Sequence, residues 1–474
     1  MPLMLVSLLA IFDASNPVKN TSDSNNPHPA PLRVLVSAFA CSPGGDSGHL
    51  GGGEVVLGWS IVRQLARFHH IIVLTHSENR PAIEDSLLRS PNANLEFCYF
   101  AFPRCLEALK NFPGGIQFYA YLWQIKAYLV ARRLHKQNRF DLFHHVTYAN
   151  DWMASHIGAL LPVPYVRGPC GGAQQVPEGF VAGFSRRGRF WEHVRRLGQR
   201  GLRLDPFFRL GQRRARAILV CTPEALAAIP KPWRRKAQLF PVNGIGGDDL
   251  RLIGEMQDRQ PDGEASPAGR EFRVLSAGKL LQLKAFDLAI RAFGIFAATH
   301  PEATFSLAGD GPELGRLQSL IHTLRLDGKV KIEKWLPREE LLKKMAASDV
   351  FIFPSLRDGG GAVVIEAMAA GNPVICLDHA GPALHVTEGC GIKVPPENPD
   401  QVIKEMAEAL ENLYAHPELR QRMGTSARGR VEQVYHWDKQ GERLLKIYQN
   451  ALNLRPEAES TDAAQQESFI AEEA

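Results

Sequence analysis

Residues 351–373 constrain the fold of this chain more than any other stretch. The apolar run Phe351-Ile352-Phe353 reads as a buried strand. It passes through Pro354-Ser355-Leu356-Arg357-Asp358-Gly359-Gly360-Gly361 into an amphipathic helical run that starts at Ala362. A strand that ends in glycines and turns straight into a helix belongs at the C-terminal edge of a parallel sheet, where doubly wound folds take their ligands. Lacking side chains, Gly359, Gly360 and Gly361 let backbone N–H groups at the helix start approach a diphosphate, and the positive end of the helix dipole favours the same anion. Asp358 then stands on the loop side and Glu366 on the helix side.

The same strand, loop and helix alternation recurs along the chain. Arg33–Ser37 reads as a first strand, followed by a glycine-rich loop ending Gly51-Gly52-Gly53-Glu54, a helical run from Val55 to Phe68 and a strand Ile71–Thr75, which together make a βαβ unit. Asp141–Thr147 reads as a buried strand that carries His144 and His145. Tyr165–Pro169 with Gly171-Gly172 reads as a strand and turn, and Arg216–Cys221 as the last strand of a first half. A second half opens with the strand Phe272–Ser276 and the loop Gly278-Lys279-Leu280-Leu281-Gln282-Leu283-Lys284, which leads into a helix over about 285–298. Two lysines five apart at a helix start can neutralise a diphosphate as its charge grows. Phe305–Ala308 with the turn at Asp310, and Val330–Ile332 with a helix from Arg338 to Ala347, continue the pattern. The expected organisation is a disordered extension and linker over 1–32, domains over 33–240 and 241–435, a helix over 436–454 and a disordered acidic tail over 455–474.

Asp358 and Glu366, eight positions apart and followed by Ala367-Met368-Ala369-Ala370-Gly371-Asn372-Pro373-Val374, resemble the Glu-x7-Glu signature of family 4 (group 1) retaining glycosyltransferases. Pro241-Val242-Asn243-Gly244-Ile245 likewise resembles the family's interdomain Pro-x-Asn-Gly-Ile, and Tyr435-His436-Trp437 with the run to Leu452 its returning C-terminal helix. Aspartate at the first signature position departs from the usual glutamate, Lys279 replaces a usual arginine, and Ala285 a common glycine. The resemblance implies an α/β chain of the GT-B class, two Rossmann-like doubly wound domains facing across a cleft. It implies that Glu366 binds the donor ribose, that Gly360 and Gly361 bind its phosphate with Lys279 and Lys284, and that Gly53 lies on the donor side. Gly52, Glu54 and His144 take the acceptor side. Asp358, His145 and Lys284 form the catalytic set, His145 being preferred over His144 for the transferred sugar. Two strand-end histidines satisfied by backbone carbonyls are the plainer reading of that pair.

The implied reaction is metal-independent transfer of a sugar from a nucleoside diphosphate sugar to a glycan or lipid-linked acceptor, with no cofactor, in polysaccharide or glycoconjugate biosynthesis. A sugar-nucleotide epimerase of the same fold and a catalytically silent sugar-nucleotide-binding protein are the alternatives. A dehydrogenase fits less well, because the first glycine-rich loop lacks the compact Gly-x-Gly-x-x-Gly spacing.

With 474 residues, 45% hydrophobic and 22% charged, the chain can fill two or three cores. A net charge of +5 is too modest to suggest nucleic acid, and seven scattered cysteines without a Cys-x-x-Cys pair fit a reducing cytoplasm rather than a disulfide or zinc framework. The first twelve residues are apolar but too short to span a bilayer. Charge is concentrated between Arg186 and Arg216, where eleven arginines face only Glu192 and Asp205 and alternate with Phe190, Trp191, Phe207 and Phe208. That mixture suits the anionic inner face of a membrane, where a lipid-linked acceptor would be met; a solvated arginine-rich hairpin is the alternative.

Overall fold

The structure, a computed structural model, describes residues 30–44, 53–112, 114–184, 186–258 and 271–453. Gly52, the apolar N-terminus and the acidic tail lie outside them.

Two parallel sheets organise the chain. The first contains β1 (Arg33–Ala38), β2 (His70–His76), β3 (Leu95–Phe100), β4 (Leu142–Thr147), β5 (Tyr165–Cys170), β6 (Ala215–Val220) and β7 (Ala237–Leu239), in the order β3-β2-β1-β4-β5-β6-β7. The second contains β8 (Arg273–Ala277), β9 (Thr304–Ala308), β10 (Val330–Glu333), β11 (Val350–Phe353), β12 (Val374–Leu377) and β13 (Gly391–Val394), in the order β10-β9-β8-β11-β12-β13. Both are doubly wound sheets of the GT-B class, and their central strands are buried on both faces because helices cover both sides. In β11, for example, all four residues are buried. The strand order reverses between β1 and β4 and between β8 and β11, so the loops leaving those four strands converge at two switch points.

Arg216–Cys221 is not the last strand of the first half. Ala237–Leu239 pairs parallel beyond it, Ile218 opposite Ala237, and forms the sheet edge. β3, β12 and β13 are further strands beyond those expected. The helix after the first loop runs Gly53–Leu65, and the one after β8 runs Phe286–Phe296. Ala285, where a glycine is common in the resembling family, precedes the latter with φ 47° and ψ 36°. A left-handed backbone at a residue with a Cβ costs about 1 kcal/mol.

The helix Trp437–Asn453 returns to the first half. It lies beside Gly53–Leu65 and buries Leu444, Ile447, Tyr448 and Ala451 in the core that lines one face of the first sheet. The Tyr448 hydroxyl meets Nδ1 of His144 at 2.8 Å, and its ring stacks on His69.

Candidate functional site

At the second switch point the loops after β8 and β11 are tied together: Leu356 N donates to Leu283 O at 2.9 Å. That contact brings Lys284 against Asp358, and its ammonium bonds Oδ2 while lying 5.0 Å from the centre of the Phe353 ring. The other carboxylate oxygen, Oδ1, accepts from Gly360 N at 3.0 Å and Gly361 N at 2.9 Å. Burial pushes the Asp358 carboxyl pKa up, but Lys284 and the two amides outweigh it and hold the group below the ordinary carboxylate range. Gly360 and Gly361 therefore do not present free amides here, as the sequence suggested; their N–H groups already hold an anion, the side chain of Asp358.

Glycine is favoured at this turn. A Cβ on Gly360 would lie 2.4 Å from Asn243 Nδ2, and Gly361 has φ 52° with His385 directly beside it. His385 is buried. Its Nε2 meets Gly360 O at 2.7 Å and its Nδ1 meets the Tyr435 hydroxyl at 2.9 Å, fixing the loop from behind. Burial brings its pKa down to about 4, so the ring is neutral near pH 7.

On the helix Ala362–Ala369, Glu366 is largely buried, and its Oε1 accepts from Arg338 Nη1 at 2.5 Å. Burial raises its pKa against the opposing pull of Arg338. Lys279 is exposed at the mouth of the β8 loop and has no side-chain ion pair among the described residues.

The first half contributes less than its sequence promised. Glu54 is half-buried at the start of Gly53–Leu65 and accepts from Tyr148 N at 2.5 Å; burial raises its pKa against that bond. Gly53 is exposed beside it, with open space where a Cβ would stand. His145, expected in the catalytic set, and His144, expected on the acceptor side, are both closed off from solvent. Both are wholly buried, because β4 is the central strand next to β1 and is covered on both faces. His144 Nε2 meets Gly168 O at 2.7 Å, and His145 Nε2 meets Thr147 O and the Gln124 amide, each at 3.1 Å. Burial drives their pKa values to about 4 and about 3.

The arginine-rich stretch is divided by its helices. Arg195, on the helix Arg186–Leu202, turns inward to bond Gly172 O at 3.2 Å and Gln174 O at 3.1 Å. Phe190, Trp191, Val194 and Leu197 of the same helix are exposed. Asp205 caps the next helix, Pro206–Arg214. Glu192 is buried, binds Arg195 at 2.8 Å, and reaches Arg357 of the second half at 2.6 Å, one residue before Asp358. His379 Nε2 to Gln175 O at 2.9 Å and Ala380 N to Glu224 Oε1 at 3.1 Å join the halves beside the same loop. Sequence reasoning missed Arg338, His385 and the Glu192–Arg357 pair. Only Glu192 left a signal, as an isolated acid in a basic run.

Asp358 and the buried histidines titrate with one sign, whereas Glu54 and Glu366, whose carboxyls burial raises, titrate with the other. Asp358 has a depressed carboxyl pKa, so its stabilisation is complete above the unfolded value and is lost as pH falls through the folded one. His144 and His385, buried and neutral, lose theirs as pH falls from 6.5 towards 4, since the unfolded chain binds the proton first. These groups pull the melting temperature down over that interval, so His385→Gln should lose less stability between pH 6.5 and 4 than the wild type does. An identical pH profile in wild type and His385→Gln would contradict the assignment for His385.

Among the described residues no group of three or more His, Cys, Asp or Glu could hold a metal ion, and no helix is long and apolar enough to cross a membrane. The profile of the family "Glycosyl transferases group 1" matches residues 258–430. The alpha-D-kanosaminyltransferase of Streptomyces kanamyceticus is 29% identical over 245 residues, 50% of this chain and 61% of that protein. The GDP-mannose-dependent monoacylated alpha-(1-6)-phosphatidylinositol monomannoside mannosyltransferase of Corynebacterium glutamicum is 31% identical over 181 residues, 36% of this chain and 45% of that protein. The chain thus spans about half the length of the curated relatives it matches. In three dimensions, the sucrose-phosphate synthase of Thermosynechococcus elongatus superposes with a TM-score of 0.56 at 18% identity, covering 88% of this chain and 98% of that one.

Proposed function

We propose that this chain, whose residues 258–430 belong to the group 1 glycosyl transferases, moves a hexose-like unit from a nucleoside diphosphate sugar to a glycan or lipid-linked acceptor with retention of anomeric configuration. The observation that carries this reading is the anion seat at the second switch point, where one ammonium and two amide N–H groups converge on a single carboxylate. A diphosphate has the charge and oxygen geometry for the same seat. On donor binding its oxygens take the amides and Lys284, with Lys279 adding charge at the loop mouth, and Asp358 is released to accept from a hydroxyl of the transferred sugar.

The bond from the anomeric carbon to the phosphate oxygen then breaks, its electron pair passing to the diphosphate, which Lys284 stabilises. The acceptor oxygen bonds the anomeric carbon on the same face and its proton passes to the leaving phosphate oxygen, so the protein supplies position and charge rather than a nucleophile. No metal or cofactor is needed in this scheme. Glu366 binds the ribose, Gly53 lies on the donor side and Glu54 lines the acceptor side.

A thermal-shift panel of nucleoside diphosphates and their sugars tests the reading, since a ligand that binds the folded chain raises its melting temperature. One sugar nucleotide should shift the wild type and leave Glu366→Ala unmoved; no shift with any of them would sink the donor assignment.

The relative that acts on a phosphatidylinositol mannoside and the exposed Phe190, Trp191, Val194 and Leu197 beside outward arginines support a lipid-linked acceptor met at the cytoplasmic face of a membrane. Vesicles containing phosphatidylglycerol should sediment the protein and neutral phosphatidylcholine vesicles should not. Equal behaviour with both would remove the membrane from the proposal.

A further inference from the structure

Glu366 is not held by its own helix. The carboxylate is reached by Arg338, the first residue of the helix Arg338–Ala346, and Arg338 is itself gripped by Asp249 on the helix Gly247–Asp258. The guanidinium fork divides between them: Nε and Nη2 bond the two oxygens of Asp249 at 3.1 and 2.9 Å, and Nη1 bonds Glu366 Oε1 at 2.5 Å. With Nε and Nη2 fixed on Asp249, the planar guanidinium holds Nη1 in place against Glu366. Glu366 Oε1 is committed in this way, and Oε2 has no hydrogen-bond partner among the described residues.

We infer that Asp249 and Arg338 are positioning residues that orient the Glu366 carboxylate towards the ribose hydroxyls of the donor, and so make the site prefer ribonucleotides to deoxyribonucleotides. This rests on the reading that Glu366 binds the ribose. An ionised carboxylate that presents one open oxygen in a fixed direction accepts from an alcohol donor at little entropic cost, whereas an unbraced glutamate loses three side-chain torsions on binding. A site built to bond a hydroxyl rejects the analogue that lacks it, because the buried acceptor is then left unpaired. Neither Asp249 nor Arg338 touches the phosphate seat at Lys284, so their removal should affect the sugar end of the nucleotide alone.

The test measures binding of UDP, GDP and ADP and of their 2′-deoxy counterparts by calorimetry on the full chain. The wild type should bind one ribonucleotide at least about tenfold more tightly than its deoxy form. Arg338→Gln and Asp249→Asn should bring that ratio towards one by weakening the ribo form, with affinity for the deoxy form unchanged. A variant that merely loosened the fold would weaken both forms together and leave the ratio intact. Asp249→Asn is isosteric and keeps the Arg338–Glu366 bond, so it serves if Arg338→Gln does not fold. A preserved ratio in both variants, with the ratio abolished in Glu366→Gln, overturns the inference and leaves the ribose reading standing. A wild type that binds none of the three diphosphates, or does not discriminate, or an unchanged ratio in Glu366→Gln, overturns the ribose reading and the inference with it.

Discussion

Lys284→Ala should lower the turnover number for sugar transfer by more than about 100-fold, the loss seen when a preorganised charge is taken from a developing oxyanion. The geometry gives the reason. The ammonium bonds Asp358 and lies against the Phe353 ring, a partly dry setting in which its charge is weakly screened. Without it, the seat keeps the amides of Gly360 and Gly361 but has no cation to meet the leaving diphosphate. Lys284→Arg should recover part of the rate, since it restores the charge in a broader shape. Steady-state kinetics beside a melting curve separates the two consequences of the change. Asp358 also loses its partner, so a lower melting temperature is expected, but a folded protein with near-normal turnover would refute the role given to Lys284.

Tyr448→Ala should cost about 3–5 kcal/mol of stability, the usual loss for emptying a fully buried aromatic site. Two further penalties point the same way: His144 loses the partner of Nδ1, and His69 loses the ring it stacks on. Tyr448→Phe keeps the volume and removes only the hydroxyl, so it should cost about 1–2 kcal/mol. Urea unfolding followed by circular dichroism measures both. Because Tyr448 lies on the returning helix but packs in the first half, equal melting of wild type and Tyr448→Ala would mean that the helix contributes little.

Much of this architecture is legible in the sequence, and the parts that are not share physical causes. Phe351–Phe353, the glycines after them and the lysine-bearing loop after β8 declare themselves because a buried parallel strand is apolar on both faces and its exit loop must be small or polar. β7 is three residues long, and β3, Leu95–Phe100, mixes exposed, half-buried and buried positions, so neither gives a clean period. The direction of a side chain at a strand end depends on which helix covers it, and for His144 that cover is Tyr448, 304 positions away. The bonds from Gly360 and Gly361 to Asp358 are local, yet a motif read for an incoming ligand does not reveal that its own carboxylate can fill the seat. Arg338 and Asp249 lie 89 residues apart and carry no periodic signal. Only the fold brings them to Glu366.

The contact between Glu192 and Arg357 gives the arginine-rich helix a second role. Its outer face is exposed, while Glu192 on its inner face holds Arg357, the residue next to Asp358. A surface that prefers one attitude of the helix shifts the donor loop by the same free energy with which an occupied donor loop shifts the helix. If the outer face attaches to a membrane as proposed, attachment and donor binding would be thermodynamically reciprocal: the donor-loaded chain should hold that membrane with a different strength from the empty one, without any part of the nucleotide touching it.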